Sequence, residues 1–219
     1  GEPYYFVGTN FWYGAILGSE GEGGNRERLA KELDFMKANG IDNLRILVGG
    51  EGENGLLGKI EPNLQPEPGV YNDEVLAGLD YLMMELGKRD MTAVLYFNNA
   101  WEWSGGYTQY VAWANDTPVL VPRVDGWFSY NAFAGEFVRN ERAKQIFYDH
   151  LRYIITRTNR YTGIKYIDDP AIFSWQICNE PRAFSSKEVN NQEAFAEWIE
   201  TSAKLIRELD PNHMISTGS

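Results

Sequence analysis

The first feature of this sequence that could do chemistry is a carboxylic acid at the end of an apolar run. Glu180 follows Phe173-Ser-Trp-Gln-Ile-Cys178-Asn179 and precedes Pro181. Pro181 has no N–H, so it ends a strand ladder and fixes the direction in which the chain leaves. If the run is a strand buried on both faces, a carboxylate there overlooks whatever lies beyond the strand end. Partial burial would then raise its pKa and favour the protonated form that a general acid needs. Asn179 and Arg182 flank it. Three other runs bring polar and aromatic side chains to expected strand ends: Thr9-Asn10-Phe11-Trp12, Leu44-Arg45-Ile46-Leu47 and Asn98-Asn99-Ala100-Trp101-Glu102-Trp103. An indole covers the C–H face of a pyranose well, so Trp12 and Trp101 could be sugar platforms. Taken singly they could equally be core residues, Arg45 a structural ion-pair partner and Asn179 a turn former.

These residues form one site only if the elements carrying them converge. Short apolar strands are expected at Tyr5–Asn10, Asn43–Val48, Thr92–Phe97, Ala171–Cys178 and His213–Thr217. Helices fall between them. Asn25 caps one with apolar positions Leu29, Leu33 and Met36, and Gly40 sits where a C-terminal glycine belongs. A second starts at Asn72. The third shows Ala143, Ile146, Phe147, His150, Leu151, Ile154 and Ile155, the spacing of a helix packed on one face. The fourth carries Phe195, Trp198, Ile199, Leu205, Ile206 and Leu209. The Gly49–Val70 and Asn98–Arg139 stretches read as long loops, the latter with Trp101, Trp103, Trp113 and Trp127.

Strands joined by helical crossovers are parallel. Here the loops after strands are long and aromatic, while those after helices are short. That asymmetry predicts α/β architecture of the (β/α)8 (TIM) barrel type, whose site is built from the loops after the strands. One cleft would then hold Trp12, Arg45, Asn99, Trp101, Asn179, Glu180 and Arg182. The rival, a doubly wound open sheet, would offer a phosphate-binding glycine turn after its first strand. Gly18–Gly24 lies well beyond that strand and carries Glu20 and Glu22, which would repel a phosphate.

Composition removes other classes. A net charge of −11 argues against nucleic acid and anionic membranes and favours a neutral ligand. One cysteine excludes an internal disulfide, and one cysteine with two histidines excludes the usual zinc clusters. No cofactor or metal is expected. No stretch reaches ~18 apolar residues, so no membrane-spanning helix is expected. No Gly-x-Ser-x-Gly elbow supports a serine esterase. His150 belongs to an apolar stripe and reads as packed. His213 opens a strand at the face opposite the cleft.

Asn179-Glu180-Pro181, after Trp175-Gln-Ile-Cys178, resembles the Asn-Glu-Pro signature of glycoside hydrolase family 5 and its clan. The resemblance extends to Gly8-Thr-Asn-Phe-Trp12, Asn43-Leu-Arg45 and Gly105-Gly-Tyr-Thr-Gln-Tyr-Val-Ala-Trp113. It covers essentially the whole chain and is similar to the endo-β-mannanase branch. It departs at Ala100, which separates Asn99 from Trp101 where fungal mannanases join Asn directly to Trp.

The resemblance implies a retaining hydrolase of mannan, glucomannan or galactomannan. Glu180 would be the acid/base, and Asn179 would hold the sugar 2-hydroxyl. Arg45 would lie near the nucleophile, Trp12 and Trp101 on the glycosyl side, and Arg182 on the leaving-group side. A β-1,4-glucanase, an exo-β-mannosidase and a carbohydrate-binding protein without catalysis are the alternatives. The family's nucleophile is a Glu on the seventh strand. Residues 1–219 are therefore expected to form the N-terminal part of one barrel domain, beside a second half that carries that Glu. Gly1-Glu2-Pro3 reads as a processed or trimmed start running straight into a strand, and a secreted, periplasmic or cell-surface location is expected.

Overall fold

Side-chain alternation along the strands sets the two faces of the sheet. In the computed structural model, which describes residues 5–219, five parallel strands lie in sequence order: β1 (Gly8–Asn10), β2 (Asn43–Leu47), β3 (Thr92–Tyr96), β4 (Ile172–Gln176) and β5 (Met214–Ser216). Leu44, Ile46, Leu95, Phe97 and Trp175 alternate onto one face and are fully buried. Asn10, Arg45, Tyr96, Gln176 and Ser216 alternate onto the other. The register pairs Asn10 with Arg45, Tyr96 with Gln176, and Gln176 with Ser216, so polar side chains gather in one band. The proposed start at Gly1-Glu2-Pro3 lies outside the described residues.

The crossovers are α1 (Gly14–Gly18) and α2 (Arg26–Ala38), then α3 (Asp73–Gly87), then α4 (Gly106–Asn115), α5 (Pro122–Ala134) and α6 (Glu141–Ile155), and finally α7 (Gln192–Leu209). Asparagine side chains cap three of them. Asn25 Oδ1 accepts from the Arg28 N–H at 2.8 Å, Asn72 from Glu74 and Val75, and Asn140 from Ala143. Gly40 takes φ 78° just past α2, a left-handed conformation that glycine adopts without steric cost. On α6, Ala143, Phe147, His150, Leu151, Ile154 and Ile155 are all buried. Among the described residues no helix is long and apolar enough to cross a membrane.

The structure corrects the expected elements in three places. β1 begins at Gly8 rather than Tyr5. The short helix α1 was not expected; it crosses α3 so closely that a Cβ on Gly78 would stand 2.0 Å from Ala15 O. The Asn98–Arg139 stretch is not a loop, since it contains α4 and α5. Its two helices give no periodic signal for a physical reason. All seven residues of α4 from Gly106 to Ala112 are buried, so it has no polar face. Helix α5 kinks at Gly126 (φ 80°), which breaks any stripe.

Candidate active site

Strand β2 and the carboxyl ends of β3 and β4 bring Arg45, Asn179, Asn99 and, through Trp101, Glu180 into one set of contacts. Arg45 rises from the middle of β2. Its Nε donates to Gln176 Oε1 at 2.6 Å, and its Nη1 donates to Asn179 Oδ1 at 2.9 Å and Asn10 Oδ1 at 3.3 Å. The guanidinium lies 4.1 Å from the Tyr96 ring centroid, a cation–π contact. Among the described residues no carboxylate pairs with Arg45 within 4 Å, so it is not a structural ion-pair arginine here. Burial pushes its pKa down, opposed by Tyr96, Cys178 and Glu180.

Asn179 turns its amide the other way, with Nδ2 donating to Asn99 Oδ1 at 3.0 Å. Asn99 is fully buried, and a backbone bridge joins it to Asn179. Its Nδ2 donates to Ser104 Oγ at 3.0 Å and its Oδ1 accepts the Trp101 N–H at 3.1 Å. Both amides are therefore fixed in orientation by partners at each end.

Glu180 sits one residue further on with φ 48°, and its N–H donates to Gly218 O at 3.1 Å. A non-glycine residue at positive φ costs of order 1–3 kcal/mol and persists where its surroundings impose it. The Trp101 indole N–H donates to Glu180 Oε2 at 2.7 Å. The Arg182 Nη2 lies 3.6 Å from the same oxygen, and its guanidinium carbon is 4.9 Å from the Trp101 ring centroid. The expectation of a partly buried carboxyl on a doubly buried strand is corrected. The Glu180 side chain is 56 % exposed, and Phe173 and Gln176 are only half-buried. The left-handed turn lifts Glu180 off the sheet, and its side-chain partners here are Trp101 and Arg182.

Trp12 stands apart from this chain of contacts. It is 38 % exposed and meets Trp103 edge-on at 5.6 Å. The ring contacts of Trp12 among the described residues are to Tyr13 and Trp103, not to Trp101. His150 is buried, with Nε2 2.8 Å from Val48 O and Nδ1 3.1 Å from Tyr71 Oη. His213 faces Asp210 at 2.6 Å and Asp169 O at 3.1 Å, away from Glu180.

Three further residues join the site without having been singled out from the sequence. Gln176 and Asn10 hold Arg45, and strand alternation would have revealed Gln176 had the strand not been read as buried on both faces. Trp127 of α5 meets Trp101 edge-on at 6.1 Å. With Trp101, Asn131, Arg182, Phe184 and Phe195 it lines a groove of about 570 Å³ beside Glu180.

Glu51, in the loop after β2, is buried at 1 % exposure beneath the same turns. Burial pushes its carboxyl up to about 7 against the hydrogen bonds from the Gly106 and Gly50 N–H groups, the Lys59 charge and Tyr110, which all lower it. The folded protein thus holds that proton more tightly than the unfolded chain does at the ordinary value of 4.5. The associated stability is full below about 4.5 and is lost as pH rises through about 7. Burial pushes His150 the other way, to about 4 from 6.5, so its contribution is full above 6.5 and lost as pH falls through about 4. The two slopes oppose one another. A Glu51→Gln variant of the full-length protein removes one of them, so its thermal midpoint relative to wild type should rise steadily between pH 4.5 and 7. Melting curves across that range test this; a pH-independent difference would show that Glu51 does not titrate there.

The fold and the strand-end site together place the chain in the class of (β/α)8-barrel proteins. More particularly, the chain belongs to glycoside hydrolase family 5: residues 1–219 match the family described as GH family 5 beta-mannosidase-like. It superposes on a family 5 mannosidase from Rhizomucor miehei with a TM-score of 0.90 at 36 % identity, covering 100 % of this chain and 52 % of that one. The endo-1,4-beta-mannanase of the same organism gives 0.76 at 26 % identity, covering 100 % and 57 %. Mannan endo-1,4-beta-mannosidase 1 of Arabidopsis thaliana is 30 % identical over 219 residues, which are 100 % of this chain and 47 % of that protein. The chain thus spans about half the length of such relatives.

Proposed function

We propose that the protein containing this chain hydrolyses β-1,4-mannosidic bonds with retention of configuration, and that Glu180 is its acid/base. One observation carries the assignment of Glu180. Its Oε2 is held by the Trp101 indole N–H at 2.7 Å, beside an Asn179 amide locked between Arg45 and Asn99. Among the described residues Oε1 takes no hydrogen bond, which leaves it to carry the proton that the leaving oxygen needs. As that proton departs, the charge developing on the carboxylate meets the indole N–H and the Arg182 guanidinium, so these donors act where charge appears. Retaining hydrolysis needs a second carboxylate about 5–5.5 Å from the first. We assign it to a Glu outside residues 1–219, on the second half of the barrel. Arg45, partly desolvated, hydrogen-bonded to amide oxygens and seated on the Tyr96 ring, is suited to keep such a neighbour ionised. The groove beside Arg182 then takes the leaving-group side. A mannan polymer is too large to enter a cell, which favours a secreted or cell-surface protein.

The names of the relatives favour mannan as substrate. The full-length protein should release reducing ends from mannan, glucomannan or galactomannan faster than from cellulose derivatives. A reducing-sugar assay with glucan clearly preferred would move the reading to a β-1,4-glucanase. An exo-acting β-mannosidase is the second reading, because the superposition on the protein named mannosidase exceeds that on the protein named endo-mannanase. Mannose as sole early product from mannohexaose would decide for it, whereas mixed oligosaccharides would decide for internal cleavage.

A further inference from the structure

We infer that Glu51 is a positioning residue for the proton donor, acting through the turn that carries Asn99 and Trp101; this rests on the assignment of Glu180 above. Glu51 lies far from Glu180 in sequence and does not touch it. It grips the segment that does. Its Oε2 accepts the Gly106 N–H at 2.9 Å, its Oε1 accepts from Tyr110 Oη at 3.3 Å, and its own N–H donates to Ser104 O at 2.9 Å. Ser104 Oγ in turn accepts from Asn99, and the Tyr107 N–H donates to Asn99 O at 3.0 Å. The Asn99 side chain then fixes both the Trp101 N–H and the Asn179 amide. Hydrogen bonds and short covalent links thus join the Glu51 carboxyl, through Gly106–Tyr107 and Asn99, to the backbone of Trp101, the residue whose indole holds Glu180 Oε2.

The fit at this turn leaves no slack. A Cβ on Gly105 would stand 2.4 Å from Glu51 O, and one on Gly106 would stand 2.2 Å from Asn99 O. Gly105 and Gly106 take φ 92° and 59°, so the turn is built from two left-handed glycines pressed onto Glu51 and Asn99. A loop held only by surface contacts would not need a buried acid. Burying a carboxyl is costly unless its oxygens are satisfied, and here both accept from α4: Oε2 from the Gly106 N–H that opens the helix and Oε1 from the Tyr110 hydroxyl. Lys59, half-buried nearby with its Nζ 3.2 Å from Gln109 Oε1, closes the far side of the cluster. The consequence is that the Trp101 indole is aimed by the loop after β2 as well as by its own strand.

The test uses the full-length enzyme with Glu51→Ala and Glu51→Asp. The first deletes the grip on Gly106. The second keeps the carboxyl group but draws it back by one methylene, and it carries the test if the first variant does not fold. Misplacing a reacting group by about 1 Å can cost about 10²-fold. The value of kcat/KM on mannohexaose should fall by about that factor, mainly through kcat. The value on dinitrophenyl β-mannoside, whose leaving group needs no proton, should fall far less. Glu51→Gln, whose carbonyl oxygen can still accept the Gly106 N–H, should restore most of the loss. Equal losses on both substrates, or no loss on either, would overturn the inference while leaving Glu180 in its role. If a parallel Glu180→Ala variant hydrolyses mannohexaose at the wild-type rate, the proposed function itself falls, and this inference with it.

Discussion

Glu180→Gln in the full-length protein should lower kcat/KM on β-mannan by about 10²–10⁴-fold, the usual worth of general acid assistance. The substitution is nearly isosteric. A carboxamide oxygen can still accept the Trp101 indole N–H, and the backbone of residue 180 keeps its bond to Gly218 O. The turn and the Asn179 amide therefore stay where they are, and mannooligosaccharide binding should persist close to the wild-type level. What disappears is the proton. Aryl mannosides with good leaving groups should lose much less in the glycosyl-transfer step, because their departure needs no protonation. Steady-state kinetics on both substrates, with calorimetric binding of mannotetraose to the variant, checks each part. Undiminished mannan hydrolysis by Glu180→Gln would remove Glu180 from the acid/base role.

The second large effect concerns stability. Asp80 lies on α3 at 0 % exposure. Its Oδ2 accepts from Arg157 Nη2 at 2.8 Å and Arg160 Nε at 3.2 Å, and its Oδ1 accepts the Tyr166 hydroxyl at 2.6 Å. The Arg157 side chain is itself only 11 % exposed. Asp80→Ala would leave that guanidinium buried without its anion, and the Tyr166 hydroxyl, also buried, without its acceptor. Breaking one side of a buried pair costs about 3–5 kcal/mol. Equilibrium denaturation of the full-length protein should show that loss. A double change of Asp80 and Arg157 to apolar residues should recover much of it, because the desolvated charge goes with its partner. A loss below about 1 kcal/mol for the single variant would mean that the pair behaves as a surface ion pair.

Much of the fold was legible along the chain because the elements that bear it are amphipathic or capped. The stripe on α6, the asparagine cap at 25 and the helix start at Asn72 are local properties, and they survive into the structure unchanged. The strand-end residues were legible for a similar reason, since a parallel sheet with helical crossovers sends every strand's carboxyl end to the same face. Arg45, Asn99, Trp101, Asn179, Glu180 and Arg182 do meet there.

What the chain alone left open depends on contacts between distant residues. Helix α4 is buried on all sides, so its sequence shows no polar face and reads as loop. Trp12 ends its strand as Trp101 does, yet its ring packs on Trp103 and Tyr13, a choice made by the neighbouring loop. The exposure of Glu180 follows from a left-handed turn that no local residue preference announces. Gln176 meets Arg45 across 131 residues, and Glu51 meets Gly106 across 55. Sequence determined which side chains could do the chemistry and which sheet end they would reach, because strand and helix periods are local. Tertiary structure decided which of them touch, because a hydrogen bond is decided by angstroms between elements whose spacing only the packed core sets.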